Sequence, residues 1–269
     1  MPEHRHRPSP GEASSKTATQ MVSSSRREQI RQLPILARRY FATLRGDAGS
    51  LALLLLQAPL IGWFCALVWG SVEEDTPSLY FVMCLSALWF GCINACREIV
   101  KERAIIERER FFGLNIIAYV GSKVWVLAGI AAVQVVALDL VVEWHLNLKG
   151  SMGVQLLSLW LASLAGIGLG LVVSALASTQ ERAVFAVPLL ILPQILFSEI
   201  AIPKDAFSDA VSIAEKVMPV RWGYRVFVDL ADKDGNLLAV LLGLLAQVGF
   251  AAALIGVTWL VLLRRRDPV

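Results

Sequence analysis

Between Arg97 and Arg110 the chain places four carboxylates among five basic side chains in the order REIVKERAIIERER, directly between two long apolar runs. On a helix, Arg103 meets Glu107 at i, i+4 and Glu107 meets Arg110 at i, i+3, and each such surface pair contributes only a few tenths of a kcal/mol. Pairing therefore explains little of this density. With Ile99, Val100, Ile105 and Ile106 interleaved, the segment is expected to present one side to a membrane and another to a docked protein. The plainer alternative is a solvated loop whose charges only set topology. Other residues capable of chemistry are quiet. Cys65, Cys84, Cys92 and Cys96 form no CxxC pair and have no companion among His4, His6 and His145, so they read as packing residues, with no metal site. Cys92 and Cys96 share a helix face, but two thiols alone make a poor metal site. A phosphate-cradling loop requires GxxxxGK[ST], which no glycine here begins. Gly166, Gly168 and Gly170 stand among Ala, Leu and Ile and point to close helix packing. The chain is expected not to be an enzyme.

The elements that must position the charged segment are membrane helices. Hydrophobic residues make up 56% of 269 and mean hydropathy is +0.61, beyond what one soluble core uses. A hydrocarbon core of about 30 Å takes about 20 helical residues. Six spans are predicted at Leu51 to Gly70, Leu79 to Cys96, Ile116 to Val142, Gly153 to Ala177, Ala183 to Ile200 and Leu237 to Leu263. The runs are continuous and do not alternate, which excludes a closed barrel. Basic residues crowd residues 1–45, the loop after the second span and Arg264-Arg265-Arg266, whereas the loop after the first span is Glu73-Glu74-Asp75. Cytosolic flanks retain Lys and Arg, so both termini are expected in the cytosol of a multi-pass cell-membrane protein. The net charge of +3 is mostly this topological signal and implies no nucleic-acid partner. Residues 1–25, rich in Ser, Pro, Arg and Thr, are expected to form a disordered cytosolic tail without a cleavable signal. Over 26–46, Ile30, Leu33, Leu36, Ala37, Tyr40, Phe41 and Leu44 recur at helical spacing among basic residues. That pattern predicts an amphipathic interfacial helix, with a break at Gly46 and Asp47, or else a simple extension of the first span.

A resemblance then joins separated motifs. Arg97-Glu98, Lys101-Glu102-Arg103, Glu109, Gly113, Tyr119 and Lys123 resemble the link between the second and third spans of the G-subfamily (White-type) ABC transporters. Met218-Pro219-Val220-Arg221-Trp222-Gly223-Tyr224 is similar to the element before that family's last span. Leu192-Pro193-Gln194-Ile195-Leu196-Phe197-Ser198 with Ile202-Pro203 is similar to the end of its fifth. The resemblance implies an all-α membrane domain over 47–269: six spans, an N-terminal interfacial helix, a cytosolic coupling helix at about 98–110 and external re-entrant helices at about 202–236. It implies coupling to an ATPase through Glu98, Glu102, Arg103, Glu107, Arg108 and Glu109. Phe90, Ile93, Asn94, Leu192 and Ile195 would line a substrate pathway. Glu199, Ile200 and Ala201 stand at the exit, where the family carries glycine and, in some exporters, leucines. A glutamate there needs hydration or a partner such as Lys204 or Arg221, and it makes a more polar substrate conceivable. Trp222, Tyr224 and Phe227 are expected as interface anchors, and Pro188 and Pro193 as kinks. Lys123, Asp139 and Glu143 are explained by snorkelling or a polar contact.

The implied partners are an ABC ATPase, separate or fused, that carries the ATP and Mg2+, a second copy or close paralogue of this domain, and the bilayer. The chain itself is expected to hold no cofactor. The implied function is an ATP-driven exporter permease for an amphipathic or lipid-like compound. The alternatives are a glycan-export permease and a scaffold that turns ATPase strokes into envelope regulation. An ion-coupled carrier would need ionisable groups at mid-membrane, and no predicted span has one at its centre.

Overall fold

The computed structural model describes residues 32–72, 77–146, 148–201, 208–232 and 235–264. Helix α1 covers residues 32–46. It ends where expected: Asp47 leaves the helical region at φ −103°, ψ 65°, and its carboxylate accepts the Ser50 N–H at 3.2 Å. That N-cap starts α2 (Ala48–Trp69). There follow α3 (Pro77–Ala95), a 3-10 turn (Val100–Glu102), α4 (Arg103–Phe111), α5 (Ile116–Leu146), α6 (Met152–Leu176), α7 (Gln180–Leu196), α8 (Asp209–Val217), α9 (Pro219–Ala231) and α10 (Leu237–Arg264). No strand occurs among the described residues. The expected tail at 1–25, the start of the interfacial helix at 26–31, Lys204 and the 202–207 part of the re-entrant region lie outside them.

Among the described residues, five helices are long and apolar enough to cross a membrane: α2, the stretch Pro77–Phe111 that α3 opens, α5, α6 and α10. The span expected over Ala183 to Ile200 corresponds to α7, which has 17 residues. At 1.5 Å rise it extends about 26 Å, short of the ~30 Å core. Pro188 and Pro193 lie inside it, and each removes a backbone donor.

Helix α3 is the centre of the bundle, with 78% of its most apolar window buried, against 22% for α2 and for α10, which form the periphery. It packs on α6 at a separation that only glycine permits. A Cβ on Gly91 would lie 1.9 Å from Ser163 O, one on Gly166 2.1 Å from Leu88 O, and one on Gly170 2.5 Å from Cys92 O. Gly166 and Gly170 thus form one small-residue ridge toward α3, while Gly168 turns to Leu254 of α10. In lipid, association rests on such close packing because apolar burial alone gains little there. All four cysteines are free and buried. Helix α2 lies along α5, and α10 along α6 and α9.

Alternation of the helices brings α1, residues 97–115 and 177–180, and Arg264 to one end of the bundle, and α8 and α9 to the other. Two aromatic residues expected as interface anchors instead fill the core. Phe227 packs on Tyr80 with ring centroids 5.5 Å apart, and Tyr224 meets Phe81 edge-on at 6.1 Å. The reason is periodicity: Val220, Gly223, Tyr224 and Phe227 share one stripe of α9, and that stripe is buried against the bundle. Trp222 stays partly exposed, and its indole donates to Lys216 O at 3.1 Å.

Candidate functional site

The charged segment begins where α3 stops. Its first free backbone donors, the N–H groups of Ile99 and Val100, are both taken by Ser174 Oγ of α6, at 2.9 and 3.0 Å. This hydroxyl holds the turn that carries Glu98 and Glu102 inward. From α5, Tyr119 and Lys123 project one helical turn apart toward the same point. Lys123 Nζ lies 2.7 Å from Glu102 Oε1 and 3.5 Å from Glu98 Oε2. The Tyr119 hydroxyl donates to Glu102 Oε2 at 3.0 Å, and Lys101 closes the set by pairing with Glu98. The ring of Tyr40, from α1, lies against the ammonium with its centroid 3.6 Å away. Lys123 is only 2% exposed. Two carboxylates and two ammonium groups thus neutralise one another where α1, α5 and the charged turn meet. Burial and the nearby Glu98 carboxylate push the Tyr40 hydroxyl well above the ordinary phenol range.

The rest of the segment forms the short helix α4. Its end has the hydrogen bonds of a Schellman turn: Leu114 N–H donates to Glu109 O and Gly113 N–H to Arg110 O, both at 3.1 Å. Gly113 holds φ +88°, a region costly for residues with a Cβ. Asn115 then caps α5, accepting from Ile117 N–H at 2.8 Å. Glu109 is clasped by both terminal nitrogens of Arg39, at 2.7 and 3.2 Å. The bond from Arg39 holds the Glu109 carboxyl below its usual range and raises the guanidinium in turn. The Gln32 side-chain oxygen accepts from Asn115 N–H at 3.2 Å, so α1 is tied to the hairpin at two places. Arg110 donates to Leu262 O of α10 and Arg103 to Ala177 O. The anticipated Arg103–Glu107 pair forms at 3.9 Å.

The structure sorts the six residues expected to couple to an ATPase. Glu98 and Glu102 point into the protein, Glu109 binds α1, Arg103 reaches the α6–α7 turn, and Glu107 and Arg108 face outward and are exposed. The five residues expected to line a pathway do not share one surface of this chain. Phe90 is wholly buried, Ile93 is half-buried, and Asn94 donates to Gln134 at 2.6 Å, which in turn donates to Leu54 O at 2.7 Å. Leu192 and Ile195 are open on the surface of α7. At the other end Glu199 pairs with Arg225 at 3.1 Å. Of the two partners considered from sequence, Lys204 lies outside the described residues, and Arg221 is bound to Glu215 at 2.8 Å. One turn separates the two arginines on α9, and Arg225 reaches Glu199 while Arg221 reaches Glu215. Ile200 and Ala201 are exposed.

Sequence reasoning gave Arg39, Tyr40 and Ser174 no role in the site, and beyond its place in the resemblance it explained Lys123 by snorkelling or a polar contact. The signal available for Tyr40 was its place with Leu36 and Ala37 on the buried stripe of α1. Asp139 is fully buried, and neither of its oxygens has a hydrogen-bond partner among the described residues. No group of His, Cys, Asp and Glu suited to a metal occurs among them either.

The sequence matches an ABC transporter ATP-binding/permease protein of Mycobacterium tuberculosis at 26% identity over 222 residues, covering 76% of this chain and 26% of the relative. The chain therefore corresponds to about a quarter of that protein's length. The profile of the ABC-2 type transporter family matches residues 31–230, from the start of α1 to the last turn of α9, and so includes the whole charged hairpin and its anchoring cluster. With most of its 269 residues inside that match, the chain belongs to the ABC-2 type transporter family.

Proposed function

We propose that this chain is the permease subunit of an ATP-driven exporter, moving an amphipathic or lipid-like compound out of the cytosol or inner leaflet. One observation carries the reading: an ionic hairpin that is rigidly rooted in the bundle yet offers Glu107 and Arg108 to solvent. A handle that transmits force must not bend at its root, and the cluster of Lys123, Glu98 and Glu102 supplies that stiffness. ATP with Mg2+ would bind a partner ATPase or a fused domain, in keeping with a relative whose name joins an ATP-binding and a permease part in one protein. The basic end of the bundle is assigned to the cytosol, since basic flanks stay inside. Helix α7, with 17 residues and Pro188 and Pro193 inside it, is assigned as the fifth of six spans, and a second copy would complete the pathway. ATP binding drives such a cycle only by favouring one helix arrangement over another.

Gentle purification from the native membrane should bring an ATPase with this chain. In vesicles rebuilt from that complex, a fluorescent amphipathic lipid analogue should stimulate hydrolysis and move outward. The double reversal Glu107→Arg with Arg108→Glu should leave the complex assembled but separate hydrolysis from transport. If no ATPase co-purifies, or if coupling in an intact complex ignores that reversal, the reading fails.

A further inference from the structure

The hairpin ends in two aromatic residues that the bundle does not cover. Phe111 is 85% exposed and Phe112 87%, and they sit in the turn that leads directly into α5. Two bare phenyl rings side by side are costly in water, since each forgoes roughly 1.5–3 kcal/mol of burial. Something covers them.

Three observations identify it. Phe112 is four residues before Ile116, the first residue of a membrane-length helix, so at most about 14 Å of chain separates them. The headgroup layer on each side of a bilayer is roughly 5–8 Å deep, so lipid headgroups lie within reach of the rings. Apolar surface is also present beside them: Phe112 lines a groove of about 230 Å3 with Ile35, Leu36 and Leu114, edged by Gln32 and Glu109, and Ile117 in the first turn of α5 is 58% exposed. The charge balance points the same way. Glu98, Glu102 and Glu109 are held in ion pairs and Glu107 lies 3.9 Å from Arg103, while Arg38 and Arg97 are exposed. The charge left open at this end of the bundle is thus mainly basic, which fits an anionic lipid surface.

We infer that Phe111 and Phe112 insert into the lipid headgroup region, so that the bilayer itself fixes the depth and tilt of the hairpin. The inference needs α5 to cross the membrane but does not need the chain to export anything, so it and the proposed function fail separately. The test is Phe112→Cys carrying an environment-sensitive fluorophore. Labelling should be selective because the four native cysteines are buried. In nanodiscs containing anionic lipid and no ATPase, headgroup-proximal spin-labelled lipid should remove most of the emission, whereas aqueous iodide should leave it nearly unchanged. The same fluorophore on Arg108→Cys, facing outward, should show the reverse. Iodide quenching at position 112 without lipid quenching would overturn the inference, and protection appearing only once the ATPase binds would make that protein the cover instead. Emission insensitive to both quenchers would mean that the ring is covered by protein and would equally reject lipid insertion.

Discussion

Replacing Lys123 by methionine removes the charge on which Glu98, Glu102, Tyr119 and Tyr40 converge while nearly conserving side-chain length. At an effective dielectric of about 20, a unit pair at the observed 2.7 Å is worth about 6 kcal/mol, and one at 3.5 Å about 5 kcal/mol. Stripping water from ions this buried offsets most of that attraction, which makes the net value of the cluster small. Removing a single member is different, because the acids remain desolvated with less compensation. Such breakage costs about 3–5 kcal/mol, and the lower part of that range applies here. Glu98 keeps Lys101, and Glu102, 19% exposed and still bonded to Tyr119, recovers some hydration. Lys123→Met should therefore cost about 3–4 kcal/mol. Glu102→Gln, which leaves Lys123 paired with Glu98, should cost about 1–2 kcal/mol. The exchange Glu102→Lys with Lys123→Glu should recover part of the loss. The assay is thermal unfolding in detergent followed by intrinsic tryptophan fluorescence, with hydrogen exchange over residues 97–115 showing whether the hairpin loosens first. A Lys123→Met protein as stable as the parent, with an equally protected hairpin, would refute the view that this cluster roots it.

Three further outcomes follow from the packing and the charges. Gly166→Ala drives a Cβ to 2.1 Å from the Leu88 carbonyl, so it should cost at least about 1–3 kcal/mol; Gly256→Ala, which meets nothing within 4 Å, should stabilise by about 0.5–1 kcal/mol, and melting curves of the pair compare them directly. Asp139→Leu should be neutral or stabilising in the same assay, because the acid has no bond among the described residues to lose; a large destabilisation would reveal a partner. Since Arg39 lowers the folded-state Glu109 carboxyl below its ordinary 4.5, the clasp contributes stability above that value and loses it as pH falls through the carboxylate range. Spin labels on α1 and α4 should accordingly separate on acidification below about pH 4.5, and Glu109→Gln should abolish that response.

Much of the fold was legible because a bilayer leaves the backbone few options. Apolar runs of 20 or more residues become helices in lipid whatever their neighbours, and α2, α3, α5, α6 and α10 fall on runs visible in the sequence. Gly46 and Asp47 marked the end of α1 by local turn chemistry, and Gly166 and Gly170 announced close packing. Less legible was α7, which ends at Leu196 while the apolar run goes on to Ile200 and so stays shorter than the predicted span. The aromatic stripe of α9 was misassigned because aromatic residues serve membrane interfaces and protein cores equally well. Of the two partners considered for the exit glutamate, Arg221 binds Glu215 instead; Arg225, one turn on, pairs with Glu199, and sequence distance says nothing of which turn faces a third element.

The charged hairpin shows the same division most clearly. Composition alone determined that the protein is helical and membrane-embedded, and that a dense ionic segment separates two of its apolar runs, because those properties depend on transfer of single residues and on contacts within a turn or two. Which charges point outward was decided only when α1, α5 and α6 came together. Glu102 meets Lys123 across 21 residues, Glu109 meets Arg39 across 70, and Ser174 fixes the turn at Ile99 across 75. Ion pairs at those separations form where packing places them, and side-chain type cannot choose among several equivalent partners before the helices dock.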